Sequence, residues 1–254
     1  MSEGSEYKRI ILVTGSNTGI GFQLVRLLAA EGHTVYLAAR RVDAGKEAQQ
    51  KLKTEHGLDV KFVHLDLHDI KSIEAAKDTI EKEEGRLDVL VNNAAIGIVN
   101  DLNEPQSAST IDLTILRTVF DTNFFGLVQT TVTFLPLLRK AQPGYGNILQ
   151  VTSRGGSATY QASDNGQNLQ FVAYCTSKSA VNMYSIALAK DLKKDGIRVN
   201  CFCPGFTTTN LNRFMPGGKT AEEAARFMMD WCLLGPGSEE KTGLFWSDDG
   251  QAPW

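Results

Sequence analysis

Tyr174 and Lys178 stand four residues apart in Tyr174-Cys175-Thr176-Ser177-Lys178, at the head of a segment with helical periodicity that runs to about Lys194. On a helix this spacing puts a phenol and an ammonium on one face, with the positive charge under the phenolic oxygen. An unperturbed tyrosine titrates near pH ~10, and a fixed cation nearby lowers that value at ~1.4 kcal/mol per unit. A phenol so tuned can exchange a proton with a carbonyl or alcohol oxygen near neutral pH. The same two residues also suit the wet face of an amphipathic helix, so their meaning depends on what the chain places beside them.

Alternating strand and helix patterns surround the pair. The apolar run Arg9–Thr14 feeds Gly15-Ser16-Asn17-Thr18-Gly19-Ile20-Gly21, followed by Phe22, Val25, Leu28 and Ala29 at helical spacing. Strand, glycine turn and helix in that order make a phosphate cradle, because glycine admits close backbone approach and amides at a helix N-terminus face negative charge. The Gly-x-x-x-Gly-x-Gly spacing differs from the common Gly-x-Gly-x-x-Gly fingerprint. A second strand, Thr34–Ala39, ends in Arg40-Arg41, where folds that select NAD carry an acid for the ribose 2′-hydroxyl. Paired arginines there suit a 2′-phosphate, which favours NADPH over NADH. Asp43 is expected to cap the next helix, to about His56.

Val60–Leu65 reads as a third strand closed by Asp66-Leu67, where an adenine could lie. His64 and His68 flank Asp66 but match no zinc spacing, so no metal is expected. After a helix marked by Ile70, Ile73, Ala76 and Ile80, the buried strand Leu87–Val91 runs into Asn92-Asn93-Ala94-Ala95, at the kind of strand end where open α/β sheets bind ligands. Ile111–Arg139 reads as one long helix kinked or ended by Pro136 near its C-terminus, with Asn123 inside it needing a local backbone hydrogen bond or a bound water. Gly146–Thr152 is a fifth strand with Ser153 at its carboxyl end, a cap by itself and a carbonyl-polarising group if it meets Tyr174. Arg154–Gln170 reads as an exposed loop with little structure of its own. Strand six, Ile197–Cys203, precedes Pro204-Gly205-Phe206-Thr207-Thr208-Thr209; Thr220 and Glu223 suit a capping box, and Gly243–Trp246 is a last strand. Gly217-Gly218-Lys219-Thr220 imitates the end of a Walker A loop, but the first glycine of that motif falls at Arg213 and no strand precedes it.

With 254 residues, 42% hydrophobic and 22% charged, the chain can bury a sizeable core, and one domain over 1–254 is expected, with 1–7 flexible. A net charge of −3 without basic blocks argues against nucleic acid, and no apolar run is long enough to span a membrane. The four cysteines form no CxxC pair or disulfide framework, which fits a cytoplasmic protein. The alternation implies an α/β fold with a parallel sheet covered on both faces.

Thr14-Gly15-x-x-x-Gly19-x-Gly21, Asn92-Asn93-Ala94, Asn123, Ser153, Tyr174-x-x-x-Lys178 and Pro204-Gly205, in this order over nearly the whole chain, resemble a short-chain dehydrogenase/reductase. Asn123-Phe124-Phe125-Gly126, Ala39-Arg40 and the closing Phe245–Trp254 resemble its carbonyl reductase branch. The resemblance implies a Rossmann-type doubly wound sheet of about seven strands. It also implies that Tyr174 is the general acid, that Lys178 binds the nicotinamide ribose and lowers the tyrosine's pKa, that Ser153 holds the carbonyl oxygen, and that Asn123 places a relay water. Gly15, Ser16, Asn17, Gly19, Ile20, Arg40, Asp66, Leu67, Asn93, Tyr174, Lys178, Pro204, Gly205, Thr207 and Thr209 are the implied contacts of NADPH or NADP+.

Residues 207–235 would cover a small-molecule carbonyl substrate, with Phe206, Phe214, Met215, Phe227 and Trp231 either facing it or packing the helix. Ala95 and Thr18 depart from the family's usual glycine and basic residue, and the 21-residue interval from Ser153 to Tyr174 leaves self-association undecided. The expected activity is NADPH-dependent reduction of an apolar ketone or aldehyde. The alternatives are oxidation of a secondary alcohol with NADP+, and an idle NADPH-binding regulator. A Ser/His hydrolase is disfavoured, since the histidines all fall between His33 and His68 and no Gly-x-Ser-x-Gly elbow occurs.

Overall fold

The structure is a computed structural model, and it describes residues 7–97, 107–164, 166 and 171–254. Strands β1 (Ile10–Val13), β2 (Thr34–Ala39), β3 (Lys61–His64), β4 (Val89–Asn92), β5 (Asn147–Val151), β6 (Arg198–Cys203), β7 (Phe245–Ser247) and β8 (Gly250–Gln251) form one sheet in the order β3-β2-β1-β4-β5-β6-β7-β8. β1 to β7 pair in parallel, and β8 folds back antiparallel on β7 through Trp246–Gln251 and Ser247–Gly250. The eighth strand extends the expected sheet of about seven by a short edge hairpin. Strands β1, β4, β5 and β6 are buried along their whole length, as parallel strands covered on both faces must be.

Helices α1 (Gly19–Ala30), α2 (Val42–His56) and α8 (Ala221–Cys232) cover one face, where Leu24, Leu28, Leu52 and Met228 meet Ile11, Val13 and Val89. On the other face α3 (Ile70–Glu84), α5 (Leu127–Leu138) and α7 (Val172–Leu192) bring Ile73, Phe134 and Leu188 against Leu12, Leu90 and Ile148. Helices α4 (Leu113–Phe120) and α6 (Ala158–Gln161) complete the set. Arg9, buried at the start of β1, donates to the carbonyls of Cys232, Leu233 and Leu234, filling the acceptors left open at the end of α8.

Several expectations change. The single helix over 111–139 is interrupted by a π-turn, Asp121–Gly126, between α4 and α5, and at its end Gly126 packs so tightly on Leu67 that a Cβ there would stand 2.6 Å from the Leu67 Cβ. Pro136 sits inside α5, which ends at Leu138. Asp43 lies in the first turn of α2 rather than at its cap, which is Arg41 and makes no side-chain capping bond. The Arg154–Gln170 loop is not structureless. It holds a 3-10 turn, Arg154–Gly156, and α6, with Gly156 and Ser157 buried; positions 165 and 167–170 lie outside the described residues. The flexibility expected of 1–7 likewise falls outside the description for 1–6. Tyr7 is held, with its hydroxyl donating to Asp88 Oδ1 at 2.8 Å and its ring 4.0 Å from that of Tyr145. The Thr220–Glu223 capping box of α8 is formed.

Candidate active site

A cleft of about 730 Å3 opens at the carboxyl ends of the central strands, where the connections diverge between β1 and β4. Its first wall is the glycine turn. Gly15 and Gly19 both take φ of +59°, and a Cβ on Gly15 would lie 2.8 Å from the backbone of Ala94. A Cβ on Gly21 would lie 2.5 Å from Asn93 Nδ2. The turn is fastened to the β4 end from both directions: Asn93 and Ala94 donate their backbone N–H groups to Thr14 Oγ1, and Asn93 Nδ2 donates to the carbonyls of Thr14 and Gly15. Ser16 is spent on the fold, its hydroxyl donating to Val13 O and accepting from Ala38 N. Thr18 heads α1 without a side-chain capping bond, so the first amides of the helix meet the cleft unsatisfied by any cap.

Arg40 and Arg41 stand on the cleft at the end of β2, with Asp66, Leu67 and His68 beside them. His64 Nε2 lies 3.0 Å from Arg40 O, and His68 Nε2 lies 2.8 Å from Thr122 Oγ1, so both rings tie loops together. Glycines that a Cβ would overfill and uncapped helix amides suit the diphosphate of a nicotinamide dinucleotide.

Tyr174 and Lys178 lie on α7 at the opposite end of the cleft, and Pro204 and Thr209 approach from beyond β6. Lys178 is buried and donates to Val151 O at 2.8 Å, with its nitrogen 5.7 Å from the centre of the Tyr174 ring. Burial lowers the Lys178 amine to about 8. Tyr174 is half-exposed to the cleft, yet crowding by protein raises its phenol, with the nearby Cys203 and Cys175 thiols acting the same way. A hydrogen bond with Ser153 pulls it down. The Lys178 amine is bonded to Val151 O, and desolvation is the largest influence on the phenol.

Ser153 also accepts from Gly155 N at 3.1 Å, and a Cβ on Gly155 would stand 2.9 Å from Cys175 Sγ and 3.3 Å from Ser153 Oγ. The backbone that the asparagine bonds is remote rather than local. Asn123 Oδ1 accepts from Ile96 N, and its Nδ2 donates to Ile96 O and to Ser177 Oγ, a long-range tie between the π-turn, the β4–α4 connection and α7.

Of the expected cofactor contacts, Gly15, Asn17, Gly19, Ile20, Arg40, Asp66, Leu67, Asn93, Tyr174, Lys178, Pro204 and Thr209 line the cleft. Ser16, Gly205 and Thr207 shape loops instead: Gly205 has φ of +74°, with Asp248 Oδ2 2.5 Å from where its Cβ would be, and buried Thr207 donates to Gly205 O. Trp231 stacks on Trp246 within the core, whereas Phe206, Phe214, Met215 and Phe227 are exposed. Thr209, Asn210, Leu211 and Arg213 line the cleft, within the segment expected to cover the substrate. Sequence reasoning missed one feature: a charged cluster binds Arg154 to Asp249 and Lys219 to Asp248, with Arg154 also donating to Ser247 Oγ at 2.7 Å. These partners are far apart in sequence, and no local pattern announces them.

Residues 9–217 match the family model described as short chain dehydrogenase. The chain is 34% identical over 228 residues to the (S)-benzoin-forming benzil reductase of Saccharomyces cerevisiae, covering 86% of this chain and 81% of that one. It is 32% identical over 287 residues to carbonyl reductase [NADPH] 1 of Mus musculus, covering 98% and 100%. The solved structure of salutaridine reductase from Papaver somniferum superposes with a TM-score of 0.81 at 27% identity, over 95% of this chain and 100% of that one. With the glycine turn, the strand order and the Tyr174–Lys178 helix all in place, the chain belongs to the short-chain dehydrogenase/reductase family, in its carbonyl-reductase-like branch.

Proposed function

We propose that the protein is an NADPH-dependent reductase of apolar ketones or aldehydes. The observation that carries this reading is the meeting of Tyr174, hydrogen-bonded to Ser153, with buried Lys178 at one end of a cleft whose other end offers Arg40 and Arg41. In support, one relative is named for reducing benzil and another for using NADPH. Gly15, Asn17, Gly19 and Ile20 would hold the diphosphate, Arg40 the 2′-phosphate, Asp66 and Leu67 the adenine, and Asn93 and Lys178 the nicotinamide half. When bound, the reduced nicotinamide supplies the hydride.

The protein's own part is the proton. Tyr174 stays protonated in its crowded setting, the form that reduction needs, and gives its proton to the substrate oxygen as negative charge builds there. Ser153 orients that oxygen, and Lys178, which keeps its proton below about pH 8, supports the phenolate left behind. Asn123 fixes the Ile96 and Ser177 positions that border the site. The segment 207–219 would cover the substrate, while α8 buries Ala224, Ala225 and Met228 against the core.

The test is a panel of ketones, aldehydes and quinones with NADPH, followed at the nicotinamide absorbance. Tyr174→Phe should slow turnover by ~10² or more, within the range for loss of a general acid, while still binding NADPH. Absence of turnover across the panel, or a fully active Tyr174→Phe protein, would sink the proposal.

A further inference from the structure

The segment 207–219, placed over the substrate in the reading above, is a loop closed at its stem. Thr208 N donates to Lys219 O at 3.0 Å and Lys219 N to Phe206 O at 3.1 Å, with Thr207 and Lys219 paired as a parallel bridge. Thr209 and Leu211 line the cleft from this loop, and Leu211, Phe214 and Met215 are exposed. Apolar side chains left open to water gain from an apolar occupant against them. The stem sets how far they stand from the rest of the site.

Lys219, at that stem, is ion-paired with Asp248. The pair fills the space over Gly205, where a Cβ would stand 2.5 Å from Asp248 Oδ2 and 2.7 Å from Lys219 Nζ. Asp248 lies in the turn between β7 and β8, and its Oδ1 is 3.9 Å from Arg154 Nη2. Arg154 directly follows Ser153. Its Nη2 also meets Asp249 and Ser247 Oγ, and its backbone N–H donates to Cys203 Sγ at 3.3 Å. One carboxylate thus stands between a cation on the covering loop and a cation on the wall that carries Ser153, and Asp249 secures the second cation to the same turn. The Lys219 and Asp248 side chains are 20% and 21% exposed, so the pair escapes most of the screening that makes open surface pairs worth little. Removing one partner leaves the other charge partly buried without it.

We propose that Asp248 is a positioning residue for the carbonyl substrate: it ties the covering loop to the Ser153 wall through the β7–β8 turn and so sets the width of the opening between them. The proposal rests on the reductase reading above. Asp248→Asn keeps the shape and removes the charge that faces both cations, so the loop should move more freely at its stem. KM for an apolar ketone should rise about tenfold with kcat held within about twofold, because contacts from the loop serve substrate and transition state alike. Lys219→Met breaks the same pair from the other side and should act likewise. In the double variant the rise should be no larger than in either single one, since both changes remove one interaction. Amide exchange over 206–219 in the cofactor-free protein should quicken about threefold or more while the strands keep their protection.

Steady-state kinetics on a ketone that the wild-type protein reduces, with hydrogen exchange of the same preparations read by mass spectrometry, decide the matter. An unchanged KM in Asp248→Asn overturns this inference while leaving the reductase reading intact. A fall in kcat at constant KM overturns it by moving Asp248 into the chemistry. Effects that add in the double variant overturn it by separating the two residues. Exchange that quickens in every strand overturns it by making the pair a general support of the fold. A wild-type protein that reduces no carbonyl compound on the panel overturns both readings.

Discussion

Asn123 and Ile96 exchange a pair of hydrogen bonds, Ile96 N to Asn123 Oδ1 and Asn123 Nδ2 to Ile96 O, both at 2.9 Å, so the side chain pairs with the backbone as a neighbouring strand would. The Asn123 side chain is buried, and its Nδ2 also reaches Ser177 Oγ at 3.1 Å. Asn123→Leu keeps the volume but strands both backbone groups of Ile96. The expected cost is ~1–3 kcal/mol per buried unpaired group, a drop of several degrees in melting temperature, together with at least tenfold slower turnover as the β4–α4 connection loosens. Melts and steady-state rates on the same preparation check both parts.

Lys178 gives a pH signature. Its folded value is lowered to about 8 from an ordinary 10.5, so between those values the unfolded chain binds more protons than the folded one. By linkage, its contribution to stability then rises with pH through that window and is least favourable below about pH 8. Lys178→Met lacks the titration. The stability of the wild-type protein relative to this variant should therefore climb from pH 8 to 10, by an amount on the order of 2 kcal/mol. Urea unfolding of the cofactor-free proteins at several pH values measures it, and parallel curves would contradict a depressed lysine.

Gly156 packs on α7 directly at the lysine: a Cβ there would stand 2.6 Å from the Lys178 carbonyl carbon and 2.8 Å from its Cβ. Helix backbone cannot yield as a flexible side chain can, so Gly156→Ala should destabilise by ~1–3 kcal/mol. It should also displace Lys178 enough to lower NADPH affinity. Retention of wild-type melting temperature and affinity would mean that the 3-10 turn shifts freely.

Cofactor choice should be transferable. Ala39 ends β2 and is buried, Arg40 follows it exposed on the cleft, and no acid stands between them. Ala39→Asp with Arg40→Ala removes a charge-assisted contact worth ~1.5–3 kcal/mol and offers a carboxylate to a free 2′-hydroxyl. kcat/KM should move toward NADH by about tenfold or more, with little change in maximal rate. Kinetics with each cofactor, run side by side, test this, and an undiminished NADPH preference would clear Arg40 of the role.

The parts of this molecule that sequence made visible are those where one physical rule acts locally. Ile10–Val13 and Val89–Val91 read as strands because burial on both faces leaves apolar runs, and Asn147–Val151 carries buried Asn147 and Gln150 among its apolar residues. The Thr220–Glu223 box and the glycine turn are written in adjacent residues, and so was the Tyr174–Lys178 pair. The π-turn at Asp121–Gly126 was not readable, because apolar spacing barely separates a bond five residues back from one four back, and the packing of Gly126 on Leu67 is remote in sequence. The partners of the tyrosine and the lysine were hidden for a similar reason. Spacing placed the lysine near the tyrosine, but only packing shows that Val151 O takes the amine and that crowding governs the phenol.

The grip of Arg9 on the last carbonyls of α8 spans 223 residues of chain between Arg9 and Cys232. α8 packs on α1, and the ion pair of Arg26 with Glu222 crosses the same seam. One side of the sheet is thus sealed by a helix made long after the strand and helix that it covers. Until then a nascent chain holds β1 and α1 with their apolar flank bare and a guanidinium without acceptors, a state that invites aggregation or chaperone capture. Contacts this distant also slow the search for the native arrangement, since closing the loop must precede any reward from it. The cleft, framed by β1 and by the segment leading into α8, is then completed only after the two ends of that long loop have met.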